Sequence, residues 1–210
     1  MIRTPQNISR NRLQRLDATF AGLSSLVTLD LSRNELSTLP EAFGSLRRLR
    51  SLRLDGNLLL DVPPAVLALT QLESLSLAEN ALTRGLDDGV ARLQRLTRLD
   101  VRHCQLCTLP DAFFELRQLV SLFLANNELV ELSPLVAQLT QLTTLNVACN
   151  KLQSLPVQLM RASALVYLFV VNNRLQSMSS ALGALPKLEY VEFTSNPFQS
   201  DKTLLALAGR

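Results

Sequence analysis

Leucine returns along this chain on a fixed period, and that return limits the possible folds more than any other feature. Counted from Leu26, Leu49, Leu72, Leu96, Leu119, Leu142, Leu165 and Leu188, leucine-like residues recur at offsets 0, 3, 5, 10, 13, 17 and 20. Successive starts lie 23 residues apart, with a single step of 24 between Leu72 and Leu96. Offsets 3 and 5 alternate with polar positions, the period-2 signature of a strand with one buried face. Asparagine follows at offset 8 (Asn34, Asn57, Asn80, Asn127, Asn150, Asn173 and Asn196). An amide both donates and accepts, so stacked asparagines satisfy a backbone bend that would otherwise bury unpaired polar groups. Proline at offset 14 (Pro40, Pro63, Pro110 and Pro156) starts the return segment with its φ already set. Apolar residues at offsets 17 and 20 then close the back of each coil. One coil cannot bury its leucines alone, so the coils must stack into a continuous core.

The stretch LVTLDLSRNELSTLPEAFGSLRRL, which starts at Leu26, has the form LxxLxLxxNxLxxLPxxFxxLxxL. This pattern resembles the leucine-rich-repeat family over nearly the whole chain, in the intracellular form typified by the Ras-suppressor and plant Ras-group proteins. The resemblance implies an α/β solenoid, curved, with a parallel sheet on the concave face and short helices and turns on the convex face. It also implies a protein partner, with small GTPases, phosphatases and cytoskeletal components as the classes suggested by analogy. The third repeat, with LTRGLDDGVARL, departs from the pattern by one extra residue near Gly85 and by having no proline. A local bulge on the convex side is expected there.

The expected organisation is one domain over 1–210, with a partial repeat over 1–25 and repeats starting at 26, 49, 72, 96, 119, 142 and 165. A partial repeat and cap then fill 188–210. Ile8, Asn11, Leu13, Leu16, Phe20 and Leu23 keep the frame upstream of Leu26, so the chain is expected to start inside a repeat, with no dedicated cap. The segment MIRTPQNISRNRLQRL is rich in arginine and free of acids, as mitochondrial transit peptides are, but only a half repeat explains its leucine placement. The final NPFQSDKTLLALAGR holds Asn196 and Phe198 in register and then breaks the period, which predicts a short helix covering the last coil.

Composition narrows the setting. A net charge of +3 is too small to imply nucleic acid by itself. Three cysteines make an odd set without disulfide density, and no apolar signal-peptide core opens the chain; a reducing, cytoplasmic compartment is expected, cytoskeletal association being the alternative. No apolar run is long enough to span a membrane.

One stretch, LDVRHCQLCTLP, holds the sole histidine and two of the three cysteines. Alone it suggests a metal cluster or a thiol beside its base. In the repeat frame, Cys104 takes the asparagine column, Cys107 lies in the following loop, and His103 and Cys149 share offset 7, two repeats apart. That separation is about 10 Å, whereas a zinc ion holds its ligands at about 2.3 Å. The stretch is therefore expected to be repeat structure. Phosphate loops, nucleophile elbows and HExxH motifs are absent, and Asp87–Asp88 falls in the convex insertion. No catalysis, cofactor or metal is expected.

Function should lie where packing does not dictate the residue, at offsets 2, 4 and 6 on the concave face. Both tyrosines fall there, Tyr167 and Tyr190, together with Phe123, Phe169 and Val171. They predict an apolar strip, extended by Ala125 and Ala148, that anchors a protein partner, with Arg98, Asp100 and Arg102 as its polar flank. The competing expectation is that Phe123 and Phe169 merely stack on neighbouring strands. A second function class follows from arginine placement: 14 of 18 precede residue 106, against 11 acids over the same span. The chain would then be a structural subunit of a cytoskeletal, axonemal or ribonucleoprotein assembly, docked through its N-terminal coil and arginine-rich face. Direct nucleic-acid binding is not expected, the excess being so small.

Overall fold

The computed structural model describes residues 6–198. Among them are nine short strands: β1 (Gln6–Asn7), β2 (Thr28–Asp30), β3 (Ser51–Arg53), β4 (Ser74–Ser76), β5 (Arg98–Asp100), β6 (Ser121–Phe123), β7 (Thr144–Asn146), β8 (Tyr167–Phe169) and β9 (Tyr190–Glu192). They pair in chain order in one parallel sheet. Leu29 pairs with Leu52, Leu52 with Leu75, Leu75 with Leu99, and so on to Val191, so one apolar residue per strand forms a row beneath the sheet. The step from Leu75 to Leu99 absorbs the extra residue. Gly85 takes it up on the return segment, with φ +78° and its N–H donated to Leu82 O at 2.8 Å.

The return segments are 3₁₀ helices of five residues, such as Glu41–Ser45 and Asp111–Glu115, with one short α-helix at Pro64–Leu67. The spacing of the anchors explains the choice. Phe43 and Leu46 stand three residues apart and both are fully buried; a helix with three residues per turn brings such a pair onto one face. Column 14 starts these helices in two ways. Pro40, Pro110 and Pro156 do so with a fixed φ. Where proline is missing, Asp17, Asp87, Ser133 and Ser179 each accept the N–H two residues ahead, a substitution the proline pattern alone did not reveal.

The asparagine column works as its chemistry requires. Asn57 Nδ2 donates to Leu54 O at 2.9 Å and to Leu31 O of the preceding coil at 3.1 Å, while its Oδ1 accepts from Leu36 N–H at 3.0 Å. The same pattern recurs at Asn127 and Asn150. Just before it, offset 7 forms a left-handed column: Arg10, Arg33, Gly56, Glu79, His103, Asn126, Cys149, Asn172 and Ser195 all have φ between 54° and 60°. Only Gly56 occupies it without the steric penalty of a Cβ. Leucines, Phe113 and Phe114 fill the core, the two rings meeting edge-on at 5.4 Å. The helix expected after Phe198 lies outside the described residues.

Candidate functional site

Each strand buries its middle residue and turns the two flanking side chains toward the concave face, so β2–β9 carry two parallel exposed columns. Over β2–β5 these columns are charged and largely self-satisfied. Arg53 Nε donates to Asp55 Oδ2 at 3.0 Å, and its Nη1 lies 4.0 Å from Asp30 Oδ2. Ser76 Oγ also donates to Asp55, and Ser32 Oγ to Asp30. Asp100 is buried and grips Arg102 in a fork, accepting from Nε at 2.9 Å and from Nη2 at 2.7 Å. The hydrogen bond to Asp55 raises the Arg53 pKa above the usual guanidinium value, and that to Asp100 does the same for Arg102.

Phe123 belongs to this charged half rather than to the aromatic strip expected from column composition. Its ring is half-buried beneath the Arg98 guanidinium, whose Cζ sits 4.3 Å from the ring centroid, with Arg102 Cζ at 5.6 Å. Arg98 pairs in register with Ser121, two residues before Phe123, so the contact is a diagonal cross-strand one. The repeat frame contained that diagonal; column-by-column reading missed it. Ala125 and Ala148 are buried and add little surface.

Over β8 and β9 the pattern reverses. Tyr167 and Tyr190 are register partners on adjacent strands and remain 43% and 46% exposed. Phe169 is half-buried and packs against Tyr190 with ring centroids 5.5 Å apart, while Val171 is half-buried at the end of the strand. The structure thus brings Tyr167, Phe169 and Tyr190 together and leaves Phe123 two strands away, with Asn146 between it and Phe169.

Comparison with known proteins agrees with this architecture. A model described as "Leucine rich repeat" matches residues 7–59 and 48–106, and one described as "Leucine Rich repeats (2 copies)" matches residues 117–158. The chain belongs to the leucine-rich-repeat family. No curated protein matches it. Among solved structures, a leucine-rich-repeat protein of Leptospira interrogans is 26% identical with a TM-score of 0.85, covering 97% of this chain and 57% of its own. Internalin C2 of Listeria monocytogenes is 24% identical with a TM-score of 0.78, covering 90% of this chain and 79% of its own; at that identity the likeness concerns the fold. TLR13, solved in complex with ssRNA13, is 27% identical with a TM-score of 0.78, covering 90% of this chain and 27% of its own. The chain thus spans just over half the length of the Leptospira protein and about a quarter of TLR13.

Within this leucine-rich-repeat frame the His103–Cys107 stretch resolves into three separate roles. Cys104 fills the asparagine column: its N–H donates to Asn127 Oδ1 at 3.0 Å, and its Sγ lies 3.3 Å from Leu77 O as a weak donor. Burial pushes its thiol pKa up to about 12, so it stays protonated and unreactive. His103 is an exposed member of the left-handed column, and Cys107 is an exposed loop residue. Among the described residues no three His, Cys, Asp or Glu side chains cluster as metal ligands, and no helix is long and apolar enough to cross a membrane. On the sheet edge, Arg47 and Arg48 line an open depression of about 550 Å³ with Ser24, Ser25 and Ser45.

Proposed function

We propose that this protein is a non-catalytic scaffold that recruits a protein partner on its concave face, with the C-terminal strands supplying the affinity. The supporting observation is the pair of neighbouring, half-exposed tyrosines at Tyr167 and Tyr190, backed by Phe169, in positions where the core makes no demand on the residue. Tyrosine presents a large rigid face at low entropic cost and is favoured where one protein grips another. The charged half would orient the partner more than hold it, because its carboxylates and guanidiniums already satisfy one another. A catalytic reading has no nucleophile to rest on: Cys104 is held as a neutral thiol inside the ladder.

We place the chain in the intracellular 23-residue subgroup of the family, as one domain over 1–210 working in the cytoplasm, with small GTPases, phosphatases and cytoskeletal components as the first partner classes to test. The test is affinity purification from the source cell, comparing the native chain with a Tyr167→Ala/Tyr190→Ala variant whose folding is verified by circular dichroism. Loss of one partner with the tyrosines supports the reading. An unchanged partner set rejects it.

A second reading, docking into a large assembly through the arginine-rich edge, draws support from Arg47 and Arg48, both exposed beside the serine-lined depression. Binding that weakens steeply with salt and with Arg47→Gln/Arg48→Gln, while tolerating loss of the tyrosines, would select it.

A further inference from the structure

The coil of β5 carries a charge that the molecule does not neutralise. Its three concave charges are Arg98, Asp100 and Arg102. The Asp100 carboxylate is fully committed: one oxygen accepts from the Arg102 backbone N–H at 3.2 Å, and both oxygens accept from the Arg102 guanidinium. Arg98 is exposed and has no carboxylate within ion-pair distance among the described residues. It is nevertheless not free to wander, because its guanidinium is stacked over Phe123. A planar donor fork fixed on an aromatic ring, with its N–H edge open, is prearranged for a carboxylate.

The register places this cation at a defined distance from the tyrosines. Arg98, Ser121, Thr144, Tyr167 and Tyr190 form one row across five adjacent strands. Three inter-strand steps separate Arg98 from Tyr167, a span of about 14 Å. Between them lie Ser121, Thr144 and Asn146, half-buried polar side chains that leave the floor low and able to hydrogen-bond a backbone.

Resting on the protein-binding reading above, we propose that the occupant of this face is an extended peptide segment of the partner. It bears an Asp or Glu carboxylate on Arg98 and a large apolar or aromatic side chain between Tyr167, Phe169 and Tyr190. At about 3.3 Å per residue, an extended chain covers the span with about four residues, and an even separation turns both side chains to the same face. A helix would need about nine residues at 1.5 Å each, which points the two side chains to opposite sides. The extended segment is the one that fits both ends.

The probe is a fluorescent peptide series in a Gly/Ser background, each peptide carrying one Glu and one Phe, with their separation stepped one residue at a time. Binding to the full chain is followed by anisotropy. Affinity should peak at a separation of about four residues, and Arg98→Gln should lower it at least ~tenfold, the scale of a charge-assisted hydrogen bond. The matching peptide with Gln in place of Glu should bind the native chain and Arg98→Gln equally. Arg98→Lys, which keeps the charge and loses the fork, should recover only part of the affinity. Affinity independent of separation, equal losses for the Glu and Gln peptides, or no binding by any peptide overturns the proposal. The tyrosine-dependent capture from cells is unaffected by any of these results, so failure here and failure of the scaffold reading are distinguished.

Discussion

The two halves of the concave face are built on the same row of buried leucines and solve the same problem differently. Over β2–β5, six charged side chains face a shared groove, and five of them close on each other: Arg53 with Asp55 and Asp30, Arg102 with Asp100. Over β8–β9, two tyrosines have no polar partner to reach, and their rings stay about half exposed. Charge brought close to opposite charge neutralises itself, and the surface it leaves is polar but quiet. Aromatic surface can be covered only by more apolar surface, and two strands do not provide enough of it. The lesson is that a concentration of charge marks binding less well than apolar area left over after the molecule's own packing is complete. Arg98 is the exception that joins the halves, a charge without an internal carboxylate.

The largest effect should come from the scaffold that both halves share. Asn127→Ala removes the acceptor for the N–H groups of Cys104 and Leu106 and the donor to Val101 O and Leu124 O. Chemical denaturation should show a loss of about 3 kcal/mol, since each orphaned buried group costs about 1–3 kcal/mol. Tyr167→Ala/Tyr190→Ala should leave the denaturation midpoint nearly unchanged while weakening the partner by about 2 kcal/mol or more, the scale of an interface hot spot. If stability falls instead, the aromatic half is packing and the contrast collapses.

Asp100→Asn sharpens the contrast from the other side. It leaves Arg102 without its forked carboxylate and should cost about 1–2 kcal/mol in the same assay. Beneath that coil, the raised Cys104 pKa sets an alkaline limit. The unfolded thiol loses its proton near pH 9, whereas the folded one keeps it to about 12, so stability falls as pH rises through that window. Compared with Cys104→Ala, the native chain should lose about 1 kcal/mol between pH 8 and pH 10, and Cys107, not Cys104, should react with a thiol reagent before unfolding. The smallest effect belongs to Arg53→Met: its partly solvated pairs should contribute under about 1 kcal/mol. A larger loss would mean that the charged half is structural in its own right.

Much of this molecule was legible along the chain because every coil poses the same packing problem. The strand positions, the asparagine ladder, the single inserted residue at Gly85 and the burial of Cys104 all follow from position within one period. Column 14 was half legible: proline announced itself, whereas Asp17, Asp87, Ser133 and Ser179 act as caps through side-chain bonds that a proline pattern does not encode. The left-handed column went unseen, since arginine, glutamate, histidine and cysteine at offset 7 give no hint of positive φ where glycine appears once.

The sequence by itself determined which side chains reach the concave face, because the alternation of a strand leaves no choice between in and out. Tertiary structure decided which of those side chains are already occupied. Phe123 and Tyr167 stand in equivalent exposed columns, yet one ring lies under Arg98 and the other faces solvent. The difference comes from diagonal contacts between neighbouring strands, and those are fixed by register and side-chain geometry rather than by the composition of any one coil.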